Sequence, residues 1–183
     1  MGKFLLAIAA AAAVIILVEY VFPGIKYKLR KNYTKTRLSM LPRNEYIVLS
    51  DIKLRSRENS VAIDHVICSK YGIFVIQEKP YGGRIFGKAT DPYWTRLIGS
   101  KETKFRNPLA KCRLQLEALS SLLDLDLSAF IPIIVFSGGG SSWAETSVPV
   151  VSGTGMMREI KSRTKPILDE NTIQNAAIKL TEY

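Results

Sequence analysis

The chain has 183 residues, 47% hydrophobic and 23% charged, which suits one ordinary domain with an appendage and excludes disorder as its overall state. Twenty-six Lys and Arg against 16 Asp and Glu give a formal charge of +10, which favours nucleic acid or anionic lipid as a partner. Cys68 and Cys112 have no zinc-type spacing and read as buried free thiols in a reducing compartment.

The first element is the run "FLLAIAAAAAVIILVEYVF", residues 4–22, broken only by Glu19. At a helical rise of 1.5 Å per residue it spans about 28 Å, enough for a bilayer core. A cleaved signal peptide fits less well, because the small residues Ala7–Ala13 come before the most apolar part, "VIILV", and cleavage follows that part. Lys3 is the one basic residue before the run. Lys26, Lys28, Arg30, Lys31, Lys35, Arg37 and Arg43 follow it with no acid among them. The positive-inside rule then puts the N-terminus outside and the rest in the cytoplasm, as a single-pass protein. Much of the net charge is thereby explained by topology and headgroup attraction, so a nucleic-acid partner needs sharper support.

The expected organisation is an anchor over 1–23, a basic juxtamembrane helix within 24–44 that ends before Pro42, and a domain over 45–183. "EYIVLSDIKL" (45–54) predicts a strand and "RSRENS" (55–60) its turn. "VAIDHVICS" and "GIFVIQEK" predict two more around "KYG", where Gly72 supplies a positive φ. "GGRIFGK" (82–88) predicts a fourth, and 89–106 short strands or loops. In "NPLAKCRLQLEALSSLLDL" (107–125), Asn107 caps a helix, Pro108 opens it, and Leu109, Cys112, Leu116, Leu119 and Leu123 form one stripe. "IPIIVFS" (131–137) predicts a buried strand, followed by a glycine turn, a short strand near 147–152 and two small helices within 155–181. Strands first, then helix and strand, give an α/β or α+β fold with a mixed sheet.

The chemistry concentrates on the second and third strands, whose apolar runs carry Asp64, His65, Glu78 and Lys79. Charges in strands that pack into a core are costly unless paired, metal-bound or at a cleft mouth. Strand alternation sets Gln77 and Lys79 on one face and Glu78 on the other, with His65 opposite to Asp64. A carboxylate, an amide oxygen and a lysine converging at strand ends suit a hard cation and phosphodiester hydrolysis. The plainer reading of Asp64 and Lys79 is a cross-strand ion pair, and that of His65 a packed histidine. No serine nucleophile elbow is present.

At this point "IDHVICSKYGIFVIQEKPYGGRIFG", Trp94 and "FRNPLAKCRLQLEAL" followed by "IPIIVFS" resemble the nuclease-related domain (NERD) family of the PD-(D/E)xK endonuclease superfamily, from about residue 45 to about 140. The resemblance implies a restriction-endonuclease-like mixed sheet flanked by helices and Mg²⁺- or Mn²⁺-dependent cleavage of DNA. It assigns Asp64, Gln77 and Lys79 as catalytic residues, with Asp64 and Gln77 holding the metal. Three departures stand out: "QEK" replaces the usual Glu-Thr-Lys, Arg30 and Lys31 stand where the family carries a Glu, and Lys111 and Gln115 replace a Gln and a His. Glu78 does not substitute for the missing acid, since a one-residue slip would turn every apolar neighbour outward.

Outside the motif, "SGGGSS" lacks the following GKS or GKT of a phosphate loop and reads as a flexible turn. Basic residues, chiefly Arg84, Lys88, Lys104, Arg106 and Lys111, alternate with Tyr93, Trp94 and Phe105 and offer a phosphate-gripping surface with aromatics for bases. A solvated basic face would look the same. Two functions therefore stand side by side: a membrane-anchored, metal-dependent DNA endonuclease, and a catalytically silent tethered module of the same fold that binds nucleic acid or protein.

Overall fold

The computed structural model describes residues 33–55 and 60–183. The expected anchor, most of the basic helix and the turn over 56–59 lie outside the described residues. Among the described residues no helix is long and apolar enough to cross a membrane. Residues 33–38 are helical and end before Pro42, burying Leu38 and Leu41.

Three long strands follow: β1 (Tyr46–Arg55), β2 (Ser60–Ser69) and β3 (Gly72–Lys79). Gly72 turns the β2–β3 hairpin at φ 127, where its missing side chain avoids Ile131. Next come β4 (Gly83–Lys88), β5 (Tyr93–Ile98) and β6 (Lys101–Arg106), then helix α1 (Pro108–Leu123). The chain ends with β7 (Phe130–Phe136), β8 (Gly140–Glu145), β9 (Val150–Ser152), α2 (Gly153–Lys161) and α3 (Glu170–Thr181).

The strands form two mixed sheets rather than one. The first has the order β1-β2-β3-β7-β9 and the second β6-β5-β4-β8. In the first, β3 and β7 run parallel in the middle and are almost wholly buried, as expected of a parallel pair covered on both faces. One face carries Val66, Cys68, Ile73 and Val75 under Leu119 and Leu123 of α1, with Ile173 and Leu180 of α3 in the same cluster. The other carries Phe74, Ile76, Ile133 and Val135 against Met156 and Ile160 of α2 and Leu38. Each fully buried Leu or Ile is worth about 1.5–3 kcal/mol, so these two layers hold the sheet. Burial pushes the free thiol of Cys68 up to about 12 and that of Cys112 up to about 11, which makes both inert.

The second sheet packs Ile85 and Trp94 on Ile134 and Phe136, with Tyr81 and Phe105 beside them. The glycine runs make this possible. Ser137 N–H donates to Lys79 O (3.0 Å) and Gly138 N–H to Tyr81 O (3.1 Å) as the two chains leave the first sheet together. A Cβ at Gly138 would strike the backbone of Tyr81, and one at Gly140 the backbone of Gly83. The stretch expected to be a flexible turn is thus a tight crossing that launches β8 parallel to β4.

Helix α1 begins as expected. Asn107 Oδ1 accepts from Leu109 N–H (2.9 Å) and Pro108 takes the first turn. The same side chain donates through Nδ2 to the carbonyls of Ala89 (3.1 Å) and Asp91 (2.7 Å), fastening the helix start to the β4–β5 turn.

Candidate functional site

Antiparallel pairing of β2 with β3 runs from Ser69↔Gly72 only as far as His65↔Ile76, after which the strands part. Asp64 stands in this fork, and its Oδ2 accepts from the Glu78 N–H at 2.9 Å, taking the place of a strand partner. Across from Asp64 on the other side of β2 stands Asp51 of β1. It is a non-glycine residue at φ 59, set between the pairs Ser50↔His65 and Ile52↔Ile63. Around it the inward alternation changes phase: Val66 and Cys68 share a cluster with Ile63, not with the residue two before Val66. Asp64 therefore sits half-buried where two long strands bend.

Gln77 pairs with Ile134 and Lys79 with Phe136 in the parallel register, so both lie on the face that α1 covers. Gln77 is only 1% exposed. Neither its amide oxygen nor its amide nitrogen has a hydrogen-bond partner among the described residues. Gln115, fully buried on α1, shares this condition through its Oε1, while its Nε2 donates to Ala62 O at 2.8 Å. Leaving such groups unpaired costs about 1–3 kcal/mol each, a cost that a water or an ion between α1 and the strand ends would relieve.

Lys79 is half-buried beside them. Burial lowers its pKa below the ordinary lysine value, the Lys111 ammonium lowers it further, and Asp64 pulls it back up. The last two effects bring Asp64, Lys79 and Lys111 into one electrostatic neighbourhood. Gln77 shares the Lys79 face of β3, and Asp64 is the acid that acts on Lys79. Among the described residues no three His, Cys, Asp or Glu side chains cluster in a metal-holding group.

The opposite face has a separate polar cluster. His65 is 1% exposed, with Nδ1 at 2.8 Å from Ser50 Oγ and Nε2 at 3.4 Å from Glu78 Oε2. Glu78 thus faces His65 rather than Lys79, through Oε2, while its buried Oε1 has no partner among the described residues. His65 is a packed histidine, as its position next to Asp64 implies.

The basic residues expected to meet nucleic acid divide. Lys111 is exposed on α1 near Lys79, whereas Arg84, Lys88, Lys104 and Arg106 are exposed on the second sheet. Lys88 pairs with Glu145 at 3.3 Å on the surface, a contact of little energetic weight. Of the aromatics set among them, only Tyr93 faces out. Trp94 is fully buried and donates its indole N–H to Lys88 O (2.9 Å), and Phe105 packs edge-on against Tyr81 and Phe136. The sequence reading missed Trp143, which is 64% exposed on β8. Its signal was the alternation in "GSSWAE", hidden by the preceding glycines.

A mixed α/β fold with two mixed sheets flanked by helices is consistent with a restriction-endonuclease-like domain. Residues 28–137, more than half of the chain, match the nuclease-related domain (NERD), and the chain belongs to that family. It is also similar to an uncharacterized protein of Bacillus anthracis, with 28% identity over 116 residues. That alignment covers 60% of this chain and 55% of the relative, so the chain spans about half of that protein's length. No solved structure matches.

Proposed function

We propose that this chain is a membrane-tethered nuclease that cleaves phosphodiester bonds in DNA at the fork formed by Asp64, Gln77 and Lys79. The observation that carries the proposal is the buried Gln77 amide without a partner among the described residues, on the strand face that also carries Lys79, on which Asp64 acts. Its oxygen and the Asp64 carboxylate are the hard donors that Mg²⁺ or Mn²⁺ prefers, and in kind they fit such an ion. A divalent cation held there would polarise a phosphoryl oxygen and activate water. Lys79 orients the attacking water or offsets charge on the phosphoryl group, and the partial burial that lowers its pKa also strengthens its field. Lys111 meets phosphate at the same entrance. The apolar run over 4–22 and the basic residues after it support the tether, with the domain on the cytoplasmic side.

A second reading has its own observation. Gln77 supplies no formal charge, and among the described residues no acidic cluster makes up for it. This favours a tethered module that binds nucleic acid or protein without cutting. Full-length chain incubated with plasmid DNA and Mg²⁺ or Mn²⁺ separates the two. Nicking or linearisation lost in both Asp64→Ala and Lys79→Ala supports the nuclease, whereas salt-sensitive binding with intact plasmid sinks it.

A further inference from the structure

The second sheet has two unlike faces. Its inner face is the core of Ile85, Trp94 and Phe105. Its outer face follows from the register. One row across the strands reads Trp143 on β8, Phe86 on β4, Thr95 on β5 and Lys104 on β6. On either side, Arg84 lies next to Ser141 and Leu97, and Tyr93 lies next to Arg106. Neighbouring strands lie about 4.8 Å apart, so Trp143 and Phe86 are side by side with cations within reach of the row.

The aromatics of this face are left open to water. Trp143 is 64% exposed and Tyr93 54%, with Phe86 half-buried between them, whereas Trp94 on the inner face of β5 is fully buried. Large aromatics left in water on a flat face mark a binding surface. Arg84, Lys104 and Arg106 give it positive charge that Glu102 only partly offsets, since Glu145 is held by Lys88. An apolar protein partner would want the aromatics without the cations. Duplex DNA would want the cations without the aromatics, because its bases are stacked on each other. The combination of π-faces and cations suits a strand whose bases are free to stack and whose phosphates need neutralising.

We infer that the outer face of the second sheet, centred on Trp143 and Phe86 and flanked by Tyr93, Arg84, Lys104 and Arg106, is a stacking platform for single-stranded nucleic acid. The inference builds on the nucleic-acid reading of the domain but not on its catalysis. It makes the first sheet the place of chemistry and the second the place of strand recognition. A hollow of about 560 Å³ lined by Tyr93, Arg106, Asn107 and Arg113 continues the surface from the platform to the start of α1.

The test uses full-length chain in EDTA, with fluorescein-labelled oligo(dT) and the same oligonucleotide annealed to oligo(dA). The wild type is expected to prefer the single strand, and binding is expected to quench the emission of Trp143. Trp143→Ala should weaken oligo(dT) about tenfold, remove the quenching and leave duplex affinity nearly unchanged. A blue-shifted emission maximum from buried Trp94, lost on adding urea, reports that the variant is folded. Equal affinity of wild type and Trp143→Ala for oligo(dT) would overturn the inference. So would a change of oligomeric state in Trp143→Ala without loss of oligo(dT) binding, which would make the face a protein interface. The platform and the nuclease fail separately. An intact plasmid together with Trp143-dependent oligo(dT) binding removes the catalysis alone, and Asp64-dependent cutting with normal oligo(dT) binding by Trp143→Ala removes the platform alone.

Discussion

Strand β3 of the first sheet is buried along its whole length except at Lys79, whereas β6 of the second is exposed everywhere except at Phe105. A polar side chain costs little on β6, so its charges are cheap to keep and easy to change. On β3 a polar group is costly without a partner: Glu78 has His65 at Oε2 and none at Oε1, Lys79 has Asp64 nearby, and the Gln77 amide has no partner among the described residues. Substitutions should therefore differ in kind between the two sheets. Those in the first should alter catalysis or stability, and those in the second affinity alone.

The largest effect expected tests that division directly. Asp64→Ala or Lys79→Ala should lower plasmid cleavage at least about 100-fold, the usual loss when one group that stabilises transition-state charge is removed. Arg84→Gln with Lys104→Gln should only weaken DNA binding and flatten its salt dependence, as read by titration at several salt concentrations. Equal loss of cleavage in both sets would erase the distinction. Next in size is the buried cluster on the far face of β3. His65→Ala leaves Glu78 buried without its partner and should cost about 3 kcal/mol in urea unfolding, with residual folded protein still able to cut. A stable His65→Ala that no longer cuts would move His65 into the chemistry.

Much of the first sheet was legible in the sequence, because long β-branched runs and a well-capped helix carry their own local signals. Alternation alone separated Gln77 and Lys79 from Glu78, and the parallel register agrees. The fork at Asp64 was not legible. It lies across from the left-handed Asp51, where the β2–β3 pairing stops, and neither feature has a local signature. The second sheet was read only in part, since "KETKFR" and "GSSWAE" are too polar to announce strands, and "GSSWAE" owes its pairing to a crossing of glycines distant in sequence. Trp94 and Phe105 were grouped with surface cations because sequence proximity does not reveal which face of a strand is covered.

A smaller effect sharpens the role of Gln77. Gln77→Leu removes both unpartnered amide atoms and should raise stability by about 1–2 kcal/mol while abolishing cleavage. Thermal unfolding and the plasmid assay on the same preparation check it, and a loss of stability would mean that the amide is satisfied within the fold. Gln77→Glu restores the acid usual in the family. It should tighten Mn²⁺ binding in calorimetry, and unchanged affinity would exclude position 77 as a ligand.

The smallest effect concerns Lys79 and pH. Its folded pKa lies below the model-peptide value of 10.5, first through burial and then through Lys111. Between the folded and unfolded values the unfolded chain binds more protons at this lysine, so the contribution of Lys79 to stability rises with pH across that window and is level below it. Against it stands the fall that the raised thiols of Cys68 and Cys112 contribute. Lys111→Ala removes one of the two lowering influences and should narrow the window from its lower end. It should also carry the alkaline limit of cleavage upward, since a cationic Lys79 would persist to higher pH. Lys79→Met should remove this contribution and leave a steeper alkaline fall from the two thiols, so the difference from the wild type isolates the lysine. Urea unfolding of the three proteins at a series of alkaline pH values reads the first effect and the pH–rate profile the second. A limit that stays put in Lys111→Ala would mean that the group titrating in the fork is not Lys79, and the lysine would then belong with the surface charges of the second sheet rather than with Asp64.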